Sequence, residues 1–544
     1  MKNRLFVVLM CLSLGILAQE KKELPARPKL IVGIVVEHMR YDYLTRFWDQ
    51  YDHDGFRRMV REGALCKNTV FENAYNQDAV GYASISTGTY PSRHGIVGNS
   101  WYDRFAQRMR YSVEDVHSKT LGAANDNGNF APTLLLAPTF ADALKLNTMG
   151  RAKVFAVAMK ESGAIFMGGN AADGAFWFDP KSGKWISSSF YGSELPYWVT
   201  RFNDRNESQL ALDKKWELEL PADQYYMSLP DANEFEVGLM GYKKAFPYFF
   251  ADLKGRTNDF SLLRYSPYGN TYTRDFALSA VINEKLGKDH DTDLLMVGFS
   301  ATGFLGEYYP PNSMEMQDAY LKLDKDIGYM LRFLDQQIGK DNYLVFLTGN
   351  TGEPQSQAWL RKMKQPTGLF NQNTAIPLLR SYIKALYGQK AEWVKGYNEL
   401  QVYLDRDAIW AAGKSLEEVQ LRVADFLSTF EGVAYTATAT DLQRGNMNRS
   451  AMLELENSYH PKRGADVYLV LQPGWGQTNE TTGQNSPYSD QTQVPLIWFG
   501  WKIRPSVVES QVSPIDIVPT IASMLNMAKP SATTGGVIHG ISVE

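Results

Sequence analysis

Polar side chains follow two of the most apolar stretches in this chain. LVFLTGNTGEP (residues 344–354) runs from apolar residues into a loop that carries Asn350 and Thr351. KLIVGIVV (residues 29–36) is followed directly by Glu37. Polar loops at the ends of buried strands are where an α/β enzyme places its chemistry. Side chains that offer only oxygen ligands suit calcium or magnesium better than zinc.

Alternating apolar and amphipathic patterns predict the elements that position these loops. Short apolar runs typical of buried strands occur at residues 29–36, 152–159, 292–299, 343–349 and 493–500. Helical patterns such as APTFADALKLNTMG and MEMQDAYLKLDKDIGYMLRFLDQQIG lie between them. We therefore expect an α/β fold with a mainly parallel central sheet and helices on both faces.

Two segments interrupt this alternation. Residues 185–270 are rich in Trp, Tyr, Pro and Asn, which favours an inserted cap. Residues 390–465 show a helix, strand, helix, strand pattern that predicts a small α/β subdomain. Both are expected within one domain spanning residues 20–544.

The N-terminus has the layout of a secretory signal peptide. Lys2 and Arg4 precede an apolar run at residues 5–17, which ends at Ala18. This run is too short to span a bilayer stably. We expect a signal peptide over residues 1–19 and an exported protein, periplasmic or extracellular, with no transmembrane segment.

Composition and net charge restrict the classes of partner that this chain is expected to bind. The chain has 544 residues, of which 44% are hydrophobic, and a formal net charge of −4. Nothing in this balance suggests nucleic acid or an anionic membrane as a partner, and a protein or glycan partner stays open. Of its two cysteines, Cys11 lies in the predicted signal peptide, so Cys66 has no intrachain disulfide partner.

Several loops carry a family resemblance. The run NQDAVGYASISTGTYPSRHGIVGNSWYD, the helix-leading PPNSMEMQDAYLKLDKDIG and the SPYSDQTQVPLIWFG segment resemble the alkaline phosphatase superfamily. The resemblance is greatest to secreted single-chain alkaline phosphatases and to nucleotide pyrophosphatase/phosphodiesterases. It implies the fold of that superfamily and a reaction with two zinc ions, three histidines, several aspartates and a Thr or Ser nucleophile.

The resemblance places different residues at the positions that carry this chemistry. Glu37 stands where the superfamily has an Asp ligand, and Asp78 in NQDAVG stands at the nucleophile position. Gly303 and Glu307 in SATGFLGE replace an Asp and a His. A carboxylate at the nucleophile position is able to accept a phosphoryl group, but it adds negative charge where phosphate binds.

The remaining ligand positions have changed as well. Asn350 and Thr351 replace an adjacent Asp and His, and Gln493 in QTQVP replaces the last His. None of the seven histidines falls at a ligand position. His38, next to Glu37, is expected to be a hydrogen-bonded structural residue, with metal ligation as the minor alternative.

Two phosphate contacts are retained in part. Asn99 in VGNSWYD and Lys160 in AMKESG match an amide and a cation that bind phosphoryl oxygens. Ser162 stands where an Arg would bind phosphate through two hydrogen bonds, so this bidentate contact is lost. A capped loop and a solvated lysine are equally compatible with Asn99 and Lys160.

Three functions follow. The first expectation is an exported pseudoenzyme that has lost two-zinc phosphoester hydrolysis and has a binding or scaffold role, without a cofactor. The second is an active phosphatase- or phosphodiesterase-like hydrolase with an altered site that uses Asp78 and calcium or magnesium. The third is a glycan or anion binder that uses aromatic residues such as Trp177, Trp185 and Trp198.

Overall fold

The structure is a computed structural model that describes residues 26–445, 450–477 and 487–542. The predicted signal peptide over residues 1–19 lies outside the described residues. No helix within these three ranges is long and apolar enough to cross a membrane.

The strands of the described residues fall into one large sheet and several small ones. In chain order they are β1 (Leu30–Val36), β2 (Ala64–Val70), β3 (Ser100–Asp103), β4 (Arg108–Tyr111), β5 (Thr120–Leu121), β6 (Val154–Ala158), β7 (Gly174–Asp179), β8 (Lys184–Ser188), β9 (Lys215–Trp216), β10 (Tyr248–Phe249), β11 (Asp293–Phe299), β12 (Tyr343–Gly349), β13 (Gly368–Phe370), β14 (Val394–Asn398), β15 (Gln401–Leu404), β16 (Val433–Thr438), β17 (Val467–Leu471), β18 (Trp475–Gln477), β19 (Gln493–Gly500) and β20 (Ser506–Val508).

The large sheet has ten strands in the order β20-β2-β19-β12-β1-β11-β6-β7-β8-β5. From β12 to β7 neighbouring strands are parallel, whereas β19 and β8 pair antiparallel at either side of this central part. The sheet is therefore mixed, with a parallel centre. The predicted α/β class is confirmed, and each of the five apolar runs forms a strand of this sheet.

Helices cover both faces of the sheet. They are α1 (Tyr41–Arg46), α2 (Phe56–Glu62), α3 (Asp78–Thr87), α4 (Pro91–His94), α5 (Phe140–Asn147), α6 (Glu161–Gly168), α7 (Tyr197–Asn203), α8 (Glu207–Leu212), α9 (Phe250–Thr257), α10 (Pro267–Asn283), α11 (Ala301–Gly306), α12 (Met314–Gln337), α13 (Gln357–Lys362), α14 (Gln372–Tyr387), α15 (Arg406–Ala411), α16 (Leu416–Ser428), α17 (Ala439–Arg444), α18 (Ser450–Ser458), α19 (Ser489–Thr492) and α20 (Ile517–Met524).

Side-chain alternation along the central strands divides the core into two layers. In β1, Leu30, Val32 and Ile34 pack into one hydrophobic cluster, while Ile31 and Val35 pack into the other. Successive strand side chains point to opposite faces, so a run that is apolar throughout needs cover on both sides. Both faces of these strands are therefore covered by apolar side chains.

The two predicted insertions have different structures. Residues 185–270 begin inside β8, which still belongs to the large sheet, and continue through short helices and the two-stranded β9–β10 pair. Residues 390–465 contribute three strands to a separate four-stranded sheet in the order β14-β15-β17-β16, which α16 covers. Its fourth strand, β17, begins just beyond the predicted boundary.

Candidate functional site

The candidate site lies at the carboxyl ends of three strands of the large sheet, β12, β1 and β6. Glu37 and His38 follow β1, Lys160 follows β6, and Asn350 follows β12. The first residue of α3, Asp78, faces these strand ends, because its carboxylate contacts His38, Lys160 and Asn350. The carboxyl ends of parallel strands therefore gather the polar loops, as the sheet type requires.

Asp78 is the centre of this network. Its Oδ1 lies 3.2 Å from Nε2 of His38 and accepts a hydrogen bond from Nδ2 of Asn350 at 3.1 Å. Its Oδ2 pairs with Nζ of Lys160. The side chain is only 10% exposed, and the start of α3 places the positive end of the helix dipole beside it. One carboxylate thus accepts from two cationic groups and one amide.

The two hydrogen bonds of the Asn350 side chain explain why the loop after β12 carries an amide. Its Oδ1 accepts the backbone N–H of His38 at 3.1 Å, while its Nδ2 donates to Asp78. An aspartate has no donor to offer and would place a second carboxylate against the first. The amide is therefore the side chain that satisfies both neighbours at once.

Glu37 occupies the space that Gly303 leaves open. A Cβ atom on Gly303 would lie 2.7 Å from Oε2 of Glu37 and 2.9 Å from its Cβ. The Glu37 side chain is fully buried, accepts a hydrogen bond from the Tyr82 hydroxyl at 3.0 Å and lies 3.3 Å from Nζ of Lys160. The longer side chain at position 37 and the missing side chain at position 303 thus complement each other.

Burial and pairing set the charges of this site. Burial opposes ionisation of Asp78, yet Lys160 and His38 hold its pKa well below its usual range. Burial raises the pKa of Glu37 to about 7, although Lys160 opposes the rise. Burial disfavours the charged Lys160, but Asp78 and Glu37 outweigh it and raise the pKa of the amine. Asp78 and Lys160 are therefore ionised at neutral pH.

His38 is a charged partner of Asp78. Burial lowers the pKa of the imidazole, but the hydrogen bond to Asp78 and the nearby Glu353 carboxylate outweigh it and raise the pKa to about 10. The imidazole thus carries a proton on each nitrogen at neutral pH.

The side chains at the other predicted ligand positions make their hydrogen bonds outside this centre, although burial raises the pKa of Glu307 and the nearby Lys160 opposes that rise. Glu307 has an exposed side chain that accepts a hydrogen bond from the Tyr265 hydroxyl at 3.2 Å. The Thr351 hydroxyl donates to the Gln491 carbonyl at 3.2 Å, and Nε2 of Gln493 donates to the Lys67 carbonyl. Glu37 and Asp78 meet at Lys160, whereas these three side chains have other partners.

The two predicted phosphate contacts differ in their availability. Oδ1 of Asn99 accepts the backbone N–H of Ala79 at 3.0 Å, which caps the start of α3. Its Nδ2 donates to none of the described residues. Lys160 is not a solvated lysine, because its ammonium group is held between Asp78 and Glu37.

The site does not fit the zinc ions that the resemblance implies. Among the described residues, no three His, Cys, Asp or Glu side chains come together in a way that could hold a metal ion. The ammonium group of Lys160 stands between the two carboxylates that would otherwise share a cation. The same observation argues against the predicted calcium or magnesium ion at Glu37 and Asp78.

The aromatic residues proposed as a sugar platform do not form one. Trp177 and Trp185 are 1% and 0% exposed and belong to the core beside the large sheet. Trp198 packs against that core and donates its indole N–H to Glu284 at 2.6 Å. Trp177 and Trp185 are thus covered by protein and leave a glycan no face on which to stack, whereas Trp198 is half-buried.

Sequence reasoning missed two members of the site. Glu353 is fully buried, with Oε1 4.0 Å from Nδ1 of His38, and Tyr82 donates to Glu37. Glu353 lies in the same polar loop as Asn350, and this placement is the only signal that marks it. His38, expected to be a hydrogen-bonded residue, has Asp78 as its partner.

Comparison with known proteins identifies the family. The family model described as type I phosphodiesterase / nucleotide pyrophosphatase matches residues 31–494. The chain belongs to this family, within the alkaline phosphatase superfamily, as the resemblance predicts.

Full-length relatives support the assignment. The chain is 34% identical to the alkaline phosphatase PhoV of Synechococcus elongatus over 98% of this chain and 99% of that one. It is 33% identical to a protein of Myroides odoratus named a calcium-transporting ATPase, over 98% of each chain. It is also 33% identical to the alkaline phosphatase PafA of Elizabethkingia meningoseptica over 96% of each. The crystal structure of wild-type PafA superposes with a TM-score of 0.89 at 32% identity, covering 96% of this chain and 100% of that one.

These relatives correct the first functional expectation. A pseudoenzyme that has lost phosphoester hydrolysis was expected from the missing histidines. That expectation is contradicted, because PhoV and PafA, which match nearly the whole chain, are both named alkaline phosphatases. The alternative of an active hydrolase agrees better with these comparisons.

Proposed function

We propose that this protein is a phosphoric ester hydrolase that uses Asp78 as nucleophile, with Lys160 and His38 supplying positive charge. The observation that carries the proposal is the ionised Asp78 carboxylate at the start of α3, in contact with both cationic groups. Membership of a family described by phosphodiester and pyrophosphate chemistry supports this substrate class.

The side chains present divide the work of phosphoryl transfer. Lys160 and Nδ2 of Asn99 offer donors to the phosphoryl oxygens, and Lys160 offsets their charge. Asp78 is held ionised, so it needs no base before it attacks. His38 carries a proton on the nitrogen that faces Asp78, which places a general acid beside the reacting atoms.

The reaction then has two balanced steps. A carboxylate oxygen of Asp78 bonds to phosphorus, the bond from phosphorus to the ester oxygen breaks, and the leaving alkoxide takes the Nε2 proton of His38. Water next attacks the acyl phosphate and gives a proton to His38, while the bond between Asp78 and phosphorus breaks. Phosphate, or a phosphomonoester from a diester, leaves with the enzyme restored.

No step is assigned to zinc, because the residues of this chain do not fit it. The superfamily's metals ionise the nucleophile and clamp the phosphoryl group. In the proposed reaction, Lys160 and His38 provide the corresponding positive charge. An added divalent cation would have to displace the Lys160 ammonium group to reach Glu37 and Asp78.

A substrate panel with matched variants tests the proposal. Purified protein is assayed with p-nitrophenyl phosphate, bis-p-nitrophenyl phosphate, p-nitrophenyl sulfate and a phosphonate ester, with and without chelator. We expect turnover of a phosphate ester in chelator, reduced at least about 100-fold in Asp78→Asn and unchanged in Asp223→Asn, whose carboxylate is exposed. Absence of turnover by the wild-type protein on every ester would overturn the proposal.

Export is proposed as part of this function. The basic start, the apolar run at residues 5–17 and Ala18 support a cleaved signal peptide. N-terminal sequencing of protein recovered from periplasm and medium tests it, and a chain that still begins at Met1 in the cytoplasm contradicts it.

A further inference from the structure

The backbone of His38 adopts an unusual conformation. Its φ is 56°, in the left-handed region that costs a residue with a Cβ atom about 1–2 kcal/mol. The Asn350 amide accepts its N–H at 3.1 Å, and the Tyr320 hydroxyl donates to its carbonyl at 3.4 Å. Strain of this kind persists where the surroundings fix a residue firmly, which is common at functional sites.

A fully buried carboxylate stands on the other side of the same imidazole. Oε1 of Glu353 lies 4.0 Å from Nδ1 of His38, and neither atom has a hydrogen-bond partner among the described residues. Buried polar atoms without partners are costly. The two atoms face each other, and no other group in the described part of the chain satisfies them.

The protein fixes Glu353 through its carboxylate, its backbone and the space left for its side chain. Its Oε2 accepts the Tyr43 hydroxyl at 3.2 Å, and its backbone carbonyl accepts Nη1 of Arg40 at 2.7 Å. Gly306 gives Oε1 its space, because a Cβ atom there would collide with it. The carboxylate is thus fixed on the side that faces His38.

We infer that Glu353 is a positioning residue that holds the His38 imidazole with Nδ1 protonated and Nε2 directed at Asp78. The inference rests on the proposed function for its catalytic meaning, since His38 is the acid in that reaction. A carboxylate accepts and never donates when ionised, so it keeps the proton on Nδ1. When Nε2 gives its proton to the leaving group, the imidazole remains in the tautomer that accepts a proton from water.

The primary test observes the imidazole itself. Full-length protein labelled with ¹⁵N-histidine is compared with Glu353→Gln by long-range ¹H–¹⁵N spectra, and His38→Gln identifies the signals of His38. We expect Nδ1 of His38 to carry its proton in the wild-type protein and a changed Nδ1 signal in Glu353→Gln. Tyr43→Phe is the matched control, because it removes the bond to Oε2 and leaves Oε1 in place. Identical His38 spectra in wild type and Glu353→Gln would overturn the inference.

Kinetics give a second readout. We expect Glu353→Gln to reduce kcat about 10–100-fold, as loss of a residue that orients a catalytic group does, with KM changed less than threefold. A KM effect without a kcat effect contradicts the inference. If Glu353→Gln does not fold, Gly306→Ala displaces the carboxylate without removing it and should perturb the same His38 signals. If no ester is hydrolysed, the proposed function fails, while the spectra still decide whether Glu353 orients His38.

Discussion

The ammonium nitrogen of Lys160 lies 3.3 Å from Oε2 of Glu37 and pairs with Oδ2 of Asp78, so that one cation joins two buried carboxylates. This relationship is the organising contact of the site. It also makes the site sensitive to the charge of a single side chain.

Lys160→Met should destabilise the protein by about 3–5 kcal/mol, because it leaves buried carboxylates without their partner. Urea unfolding at pH 8, where Glu37 is ionised, measures the loss. Lys362→Met is the control, since Lys362 and its partner Glu234 are 56% and 65% exposed. Such exposed pairs contribute about 0–1 kcal/mol, and equal losses in the two variants would contradict the prediction.

Asn350→Asp should destabilise the protein by about 1–3 kcal/mol near neutral pH, because it replaces a donor to Asp78 with an acceptor. The loss should shrink in acid as the introduced carboxyl takes up a proton. Thermal unfolding between pH 5 and pH 8 measures both effects. Asn371→Asp, at an exposed helix start where Asp caps as well as Asn, should be neutral.

A buried carboxyl away from the site should make stability fall as pH rises. Asp324 accepts the backbone N–H groups of Phe56 and Asp52, each at 2.6 Å, and burial raises its pKa to about 7. The folded state therefore binds a proton more tightly than the unfolded chain between about pH 4 and pH 7. This group contributes a fall of up to roughly 1.4 kcal/mol per pH unit across that range.

The fall attributed to Asp324 is measured as the difference between the wild-type protein and Asp324→Asn in urea unfolding at several pH values. The amide adds a constant offset, since it cannot accept both N–H groups as a carboxylate does. Only the pH dependence is diagnostic, and parallel curves for the two proteins would refute the assignment.

Chelation should leave the protein unchanged. Because no three metal-binding side chains converge among the described residues, we expect the melting temperature and any turnover to survive dialysis against a chelator. Plasma mass spectrometry after incubation with zinc, calcium or magnesium and desalting should find no stoichiometric metal. About two retained zinc ions per chain would restore the two-metal mechanism.

Gly303→Asp should destabilise the protein by about 1–3 kcal/mol, because the new side chain collides with Glu37. Shortening the neighbour in the double variant Glu37→Asp/Gly303→Asp should recover part of the loss. Urea unfolding of the wild-type protein, the two single variants and the double variant measures the coupling free energy between the two positions. Gly255→Asp is the control, since a side chain on that helical residue meets no atom within 4 Å.

Much of the fold could be predicted from the sequence, because an apolar run such as β1 has no stable place except between two covered faces. The position of the site followed from the same reasoning, since Glu37 and Asn350 come directly after parallel strands. Their partners could not be predicted: Lys160 meets Asp78 across 82 residues of chain, and no local pattern specifies that pairing.

Charge arrangement was the part that sequence reasoning described least well. The missing histidines suggested a site without a cofactor, or one that binds calcium or magnesium. Lys160 and His38 supply the positive charge instead. Lys160 was expected to bind phosphate or to be solvated, and His38 was expected to be structural. Glu353 was missed because its effect depends on the space beside Gly306, which only the packing of α11 reveals.

The fit between Glu37 and Gly303 restricts how this site can change over generations. An Asp introduced at position 303 alone collides with the Glu37 carboxylate. An Asp in place of Glu37 alone leaves a void beside Lys160. Each single replacement passes through a less stable protein, so the two positions are expected to be exchanged together or not at all. Among homologous chains, this predicts paired occurrence of Glu with Gly and of Asp with Asp, with mixed pairs rare.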